Sequence, residues 1–191
     1  MERNFSLVET FELNTHKDLI EQCITGNRKA QYKLYQLYAK AMLNVCFRMM
    51  QNKEDAEDML QDAFADAFKR MSGFRFESTF GAWLKRIVIN RCINELRRKK
   101  INLQYFEDMH VFAQKAVEET ELIGLSVERV RKAMEILPSG SRMIFSLYLL
   151  EGYDHNEISE ILDVSVSNSK TQYMRARQRV KEILTQHENE N

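Results

Sequence analysis

Between Ala56 and Met71 the apolar residues fall at Ala56, Met59, Leu60, Ala63, Phe64, Ala67, Phe68 and Met71. Steps of three and four put all of them on one side of a helix, whereas a strand would send alternate residues to opposite faces. Asn52 predicts where this helix starts, because its short amide side chain can accept a bond from a first-turn N–H. Asp55, three residues on, is a variant of the capping-box partner. Gly73 predicts the stop. The rest of the chain agrees with a helical reading. One proline and six glycines in 191 residues leave little of the punctuation that a many-stranded sheet needs. The expected fold class is all-α: two small helical domains joined by a linker, the C-terminal one a helix-turn-helix.

The first domain is expected over residues 15–100. Leu34, Leu37, Tyr38, Ala41, Met42 and Val45 predict a long helix reaching about residue 50, parted from a shorter one by Gly26-Asn27. After the acidic helix, "FRFESTFG" reads as a short aromatic loop. Ser78 or Thr79 caps a helix running to about Lys100, with Trp83, Leu84, Ile87, Val88, Cys92 and Leu96 as its buried stripe. Trp83 and Phe80 read as core; Phe74 and Phe76, in the loop, are open to core or binding roles. Residues 101–125 have weak periodicity and an acidic balance, and read as the linker. Four more helices follow over residues 126–187. One ends at Leu137-Pro138, and one spans about Ser141 to Leu150. One is capped by Asp154 with Glu157 as capping-box partner, and a long last one is capped by Ser165.

The net charge is +0, with 28 bases and 28 acids, yet the charges are sorted along the chain. Glu54 to Asp66 holds Glu54, Asp55, Glu57, Asp58, Asp62 and Asp66 and no base. Lys85 to Lys100 holds seven bases against Glu95 alone. Lys170 to Lys181 holds five bases and no acid. Segregation of this kind builds local fields that select partners. Cys23, Cys46 and Cys92 form no CxxC pair and read as buried, reduced thiols of a cytoplasmic protein. The N-terminus lacks a cationic start followed by an apolar run, so no signal peptide is expected, and no apolar run is long enough for membrane insertion. The scattered histidines give no metal spacing, and no nucleophile–base pair or phosphate loop is present. A non-enzymatic protein without metal or cofactor is expected.

"HNEISEILDVSVSNSKTQYMRARQRV" has the length and pattern of a helix-turn-helix. Ile158, Ile161 and Leu162, then Val166, Tyr173, Ala176, Val180 and Ile183, form inner faces. Ser167, Asn168, Lys170, Thr171, Gln172 and Arg175 are left outward. Short hydrogen-bonding groups followed by cations suit a helix that enters the major groove, reading base edges first and holding phosphates next. An ordinary solvated amphipathic helix has the same periodicity; the one-signed charge favours nucleic acid. The acidic helix suits either its own dipole or a basic partner. In "WLKRIVINRCINELRRKK", Lys85, Arg86, Asn90, Arg97 and Arg98 lie off the apolar stripe, with Phe74, Phe76 and Phe80 just upstream. Aromatics beside cations offer unpaired bases a face to stack on and charge for the backbone. A stand-alone helix-turn-helix regulator of duplex DNA accounts for the C-terminal half but leaves the acidic helix and aromatic loop idle. A helical adaptor with no DNA role is a further alternative.

"DAEDMLQDAFADAFKRMSGFRFESTFGAWLKRIVINRCINELRRKK" and "ILPSGSRMIFSLYLLEGYDHNEISEILDVSVSNSKTQYMRARQRVKEIL" resemble, in order, the bacterial sigma factors of the extracytoplasmic-function group. The resemblance spans about residues 17–100 and 126–185. It implies a factor that binds core RNA polymerase and directs it to promoter DNA. Residues 15–100 would be region 2 and residues 126–187 region 4. The acidic helix, with Asp55, Asp58, Gln61, Asp62 and Phe64, would dock on the clamp helices of the largest catalytic subunit, and the C-terminal domain on the flap of the second. The loop with Phe74, Phe76, Glu77, Ser78 and Thr79 would hold a flipped non-template base of the minus-ten element. Arg86, Asn90, Asn94, Arg97 and Arg98 would line the strand and the upstream backbone. Ser167, Asn168, Lys170, Thr171, Gln172, Arg175 and Arg177 would read the minus-thirty-five element. The linker would thread toward the polymerase cleft, and an anti-sigma partner is implied. Two departures stand out. Phe76 occupies a position where many members have Gly in "FRGES". "VSVSNSK" replaces the commoner "IPVGTVK", removing a proline at Ser165 and making the start more polar at Asn168 and Ser169.

Overall fold

The computed structural model describes residues 15–99 and 127–189; the expected linker lies outside the described residues. The chain divides into two compact units, Met1–Ile101 and Asn102–Asn191. The described part of the first contains α1 (Lys17–Ile24), α2 (Arg28–Met50), α3 (Lys53–Lys69), a single 3-10 turn at Met71–Gly73, and α4 (Phe80–Arg98). The second contains α5 (Val127–Glu135), α6 (Ser139–Leu149), α7 (His155–Leu162) and α8 (Val166–Asn189). Every element among the described residues is helical, as the apolar spacing predicts.

Capping chemistry sets most of these boundaries. Asn27 Oδ1 accepts from the amides of Lys29 and Ala30 at 3.0 and 3.2 Å and opens α2. Asn52 Oδ1 accepts from Asp55 N at 2.9 Å and opens α3. Thr79 Oγ1 accepts from Ala82 N at 3.2 Å and opens α4. Such a cap is worth about 1 kcal/mol. At α7 the capping box is complete: Asp154 Oδ1 takes two amides, and Glu157 Oε2 accepts from Asp154 N at 2.8 Å. At α3 its reciprocal half is missing. Asp55 is one methylene shorter than Glu, and its carboxylate is drawn to Lys99 on α4. α3 ends at Lys69, with the 3-10 turn carrying the chain to Gly73.

In the first unit α2, α3 and α4 pack on one another and α1 lies against α2. The stripe from Ala56 to Ala67 is buried throughout, as is Met71, while Phe68 is half-buried against Phe64. On α2 the core takes Leu34, Met42, Val45, Cys46 and Met49. Leu37 and Ala41, expected in that stripe, face solvent. On α4 the core takes Phe80, Leu84, Val88, Ile89, Cys92, Ile93 and Leu96. Trp83 and Ile87 are only half-buried, so the real stripe is rotated from the expected one toward Ile89 and Ile93. All three cysteines are free and buried. The hydrogen bond that the Cys92 thiol shares with Cys46, with burial second, pushes the Cys92 thiol far up, so it stays protonated.

In the second unit Ala133, Met134, Leu137, Phe145, Ala176, Val180, Ile183 and Leu184 form one cluster joining α5, α6 and α8, and α7 closes against α8. Arg142 is buried enough that desolvation lowers its pKa despite Glu135. Its guanidinium donates to the carbonyls of Leu137 at 3.0 Å and Glu135 at 3.4 Å, satisfying acceptors at the end of α5. No described helix is long and apolar enough to cross a membrane.

Candidate nucleic-acid interface

The aromatic loop between Gly73 and Phe80 is where the sequence departs most from local preference. Phe76 has φ of 57°, the left-handed region that a side chain enters at a cost of roughly 1–2 kcal/mol. Gly at this position would adopt the same backbone freely, which gives the departure from "FRGES" a physical meaning: the turn is kept and a ring is added. That ring is half-buried, 4.8 Å from Phe74 centroid to centroid, with Lys17 Nζ 5.8 Å from its own centroid. Phe74 itself is core. It is 5% exposed and packs on Phe80 at 5.8 Å and Trp83 at 5.2 Å. The expectation that Phe74 is available to a base is therefore corrected, because the hydrophobic gain of sealing the loop onto α4 takes its ring inward. Trp83, expected to be core, is instead only half-buried, packed on Phe74 at 5.2 Å and Phe80 at 5.6 Å. Glu77 is exposed, and Ser78 and Thr79 are half-buried.

From this corner Arg86, Asn90, Asn94 and Arg97 run along α4, all exposed. Their spacing of four, four and three is one helical stripe. Arg98 lies off it, held in a two-pronged bond with Glu95 at 2.7 and 2.7 Å. That bond, with nearby cations, lowers the Glu95 pKa.

The acidic helix meets α4 antiparallel. Arg91 Nη2 lies 2.8 Å from Asp62 Oδ2 and Arg91 Nη1 3.6 Å from Asp66, while Lys99 holds Asp55. Asp55, Asp62 and Asp66 thus have partners on α4, and Glu57 lies 3.8 Å from Lys53 within α3. The pairing between α3 and α4 does not follow from helical spacing alone, although its signal is in the sequence: acids at 55 and 62 oppose bases at 99 and 91 in reverse order. Asp58 and Gln61 remain exposed, on the rim of an open groove of about 550 Å³ that Asp62, Arg91, Asn94 and Arg98 also line. Phe64 does not join them. It is 3% exposed and packs on Tyr35 at 4.8 Å, so it is core and not a docking contact.

In the second unit Ser165 Oγ accepts from Asn168 N at 3.0 Å and starts α8. Ser167, Lys170 and Thr171 are exposed, and Asn168, Arg175 and Arg177 half-buried. Gln172, expected outward, is corrected: it is 1% exposed, and its Oε1 accepts from Ser141 Oγ at 2.8 Å across the α6–α8 contact. Ser169 also turns inward, fully buried against His155 Nδ1 at 2.9 Å, so the polarity it adds does not lie on the outer face. His155 stacks on Tyr148 at 4.5 Å. Burial first, then Lys170, depress its pKa, with Asp154 opposing. Among the described residues no group of three His, Cys, Asp or Glu could hold a metal ion.

Comparison with known proteins agrees with this two-unit arrangement. Residues 34–101 match the family model for Sigma-70 region 2, and residues 127–180 that for Sigma-70, region 4. The ECF RNA polymerase sigma-E factor of Escherichia coli K12 is 30% identical over 179 residues, covering 87% of this chain and 92% of that one. The ECF sigma factor SigW of Bacillus subtilis is 27% identical over 181 residues, covering 88% and 96%. Two solved structures share the fold. One is the sigma factor RpoE of Bartonella quintana, in complex with the anti-sigma factor NepR, at TM-score 0.55, 22% identity and 81% and 96% coverage. The other is CnrH in complex with the cytosolic domain of CnrY, at TM-score 0.52, 25% identity and 87% and 95% coverage. The chain belongs to the sigma-70-type RNA polymerase sigma factors, in their extracytoplasmic-function group.

Proposed function

We propose that this sigma factor, which directs core RNA polymerase to promoters for initiation, divides the work among three surfaces. Asp58 and Gln61, on the exposed side of α3, dock on the clamp helices of the largest polymerase subunit, with Asp55 and Asp62 at the margin where α4 already holds them. The corner formed by Phe76, Trp83 and the segment Glu77–Thr79 captures one unpaired base of the minus-ten element. Arg86, Asn90, Asn94 and Arg97 carry the upstream strand, with Arg98 joining if Glu95 releases it. Ser167, Asn168, Lys170, Thr171, Arg175 and Arg177 on α8 meet the minus-thirty-five element in the major groove, and the second unit contacts the polymerase flap.

The observation that carries this reading is the left-handed Phe76. A ring is held on strained backbone at the mouth of a polar, cationic stripe, and strain of this kind clusters where a side chain must be presented. Flipping a base costs a few kcal/mol, and stacking returns about 1–3 kcal/mol per base. One capture site is therefore enough to bias melting toward a preferred base. The protein works by binding energy and without a catalytic step of its own, in the cytoplasm where the polymerase is. A solved neighbour in complex with an anti-sigma factor supports a similar partner here. A stand-alone regulator of duplex DNA has no use for the region 2 match over residues 34–101.

Run-off transcription with core polymerase and this protein tests the reading. Promoter-specific transcripts are expected, and Asp58→Arg should reduce holoenzyme assembly without altering the melting temperature. Normal assembly by that variant would remove the docking face from the account.

A further inference from the structure

α8 is held in two different ways along its length. Beyond Arg175 its buried residues are apolar: Ala176, Val180, Ile183 and Leu184 sit in the cluster shared with α5 and α6. Between Val166 and Arg175 the only buried residues are Ser169 and Gln172, both polar. Half-buried Tyr173 rests against Phe145 and Tyr148 where the two stretches join. Ser167, Asn168, Lys170 and Thr171, proposed above to meet the promoter, all belong to the polar stretch.

Each buried polar side chain is tied to a different helix. Gln172 Oε1 accepts from Ser141 Oγ on α6 at 2.8 Å. Ser169 Oγ lies 2.9 Å from Nδ1 of His155, the first residue of α7. The imidazole is itself fixed, stacked on Tyr148 of α6 at 4.5 Å and preceded directly by the Asp154 cap. Residues 169 and 172 are about 60° apart around the axis, with Ser167, Lys170 and Thr171 on the other side. The commoner "IPVGTVK" has Val where this chain has Ser169, so a directional contact stands here in place of an apolar one. Apolar packing is non-directional and tolerates a small roll of the helix. Two hydrogen bonds to different helices do not. A roll of about 20° would carry side-chain tips about 2 Å around the axis, further than a base-edge hydrogen bond can follow.

We infer that Ser141, His155, Ser169 and Gln172 are positioning residues for promoter specificity. Without touching DNA, they set the roll of α8 and hence which bases its outer face prefers. The inference rests on the proposed reading of the minus-thirty-five element by α8. Long, flexible cations keep their phosphates through such a roll, so the two bonds govern preference among sequences and not the sequence-independent part of binding.

The test uses holoenzyme containing the full chain and a promoter fragment, located by run-off transcription, with its minus-thirty-five positions randomised. Bound fragments are sequenced at a temperature well below the melting point of every variant. The wild type is expected to enrich a defined sequence. Ser141→Ala, Gln172→Met and Ser169→Ala should each relax the preference at one or two positions by about tenfold, the discrimination of a single base contact. The salt dependence of binding should stay as in the wild type, because the phosphate-facing cations are untouched. Each single variant should melt earlier. Ser141→Ala combined with Gln172→Met removes both partners and should recover much of the melting temperature, yet keep the relaxed preference. A double variant that regains the wild-type preference along with its stability overturns the inference, since the bond is then structural only. So do single variants that keep that preference, or that weaken all sequences equally. Lys170→Ala with Thr171→Ala separates the inference from the reading beneath it. If this outer pair changes the preference and the buried variants do not, positioning fails and the reading stands. If the outer pair leaves the preference untouched, α8 does not read the element and both fall.

Discussion

α4 and α8 are both basic helices proposed to lie against DNA, and they treat polar residues in opposite ways. α4 buries only apolar side chains and Cys92, and turns Arg86, Asn90, Asn94 and Arg97 outward in a single row. α8 carries two polar residues into its core, Ser169 and Gln172, within its first two turns. α4 belongs to a bundle in which a broad apolar stripe is enough to set its position. α8 crosses α6 and α7 in a small helix-turn-helix, where the Gln172–Ser141 and His155–Ser169 bonds fix how the crossing is made. A buried polar bond adds little net stability when satisfied but is costly to break. Substitutions on the outer row of α4 should therefore alter promoter use without altering stability, whereas those among the first turns of α8 can fail through the fold.

The largest effect expected on either side of this contrast is in the first unit's core. Phe64→Ala should cost about 3–5 kcal/mol in chemical denaturation, and polymerase binding should be lost through unfolding rather than through a missing contact. In the second unit Ser141→Ala, which strips a buried donor from Gln172, should cost about 1–3 kcal/mol by the same measurement. At the loop, Phe76→Gly and Phe76→Ala both remove the ring, but only Gly relieves the left-handed backbone. The Gly variant should be more stable than the Ala variant by about 1 kcal/mol, and both should melt promoters poorly.

Acid should separate the two units further. Burial and Lys170 hold the His155 imidazole below its ordinary value of 6.5 in the fold. The groups facing it are Asp154, which opposes the shift, Lys170, Tyr148, Tyr173 and Ser169. A depressed folded pKa means the unfolded chain takes up the proton first. Its stabilising contribution is thus complete above 6.5 and is lost as pH falls through the folded value. The melting temperature of the second unit should drop over that window, and His155→Gln should flatten the dependence. The smallest effect belongs to α4: Asn90→Ala should change stability by less than about 0.5 kcal/mol, yet weaken binding to premelted promoter DNA in a gel-shift titration.

Helix starts were legible because capping is local chemistry: Asn52, Thr79, Asp154 and Ser165 all act where short side chains with the right neighbours predict. The interior of each stripe was legible too, since three-and-four spacing fixes a face. Its edges were not. Leu37, Trp83, Phe74 and Gln172 each sit where a face turns the corner, and a neighbouring element decides whether such a residue is covered. Phe74 is covered because the loop folds back on Phe80 and Trp83, and Gln172 because Ser141 on α6 offers it a donor. The Asp62–Arg91 and Asp55–Lys99 pairs were hidden for a different reason. Each acid and base was visible, but the antiparallel register that joins them is a tertiary fact. At Phe76 the ring was legible as a departure from the family pattern, while the backbone conformation that explains it was not.

The central claim is that the Phe76 ring acts in melting and not in initial binding. The most direct measurement is base unpairing at the minus-ten element, followed with a fluorescent base analogue, alongside closed-complex affinity on the same promoter. It compares holoenzymes carrying the wild-type chain and Phe76→Ala. The account predicts unchanged closed binding and an open-complex equilibrium weakened by about 1–3 kcal/mol, the value of one stacked base. Equal losses in both steps, or no loss in the second, would contradict it.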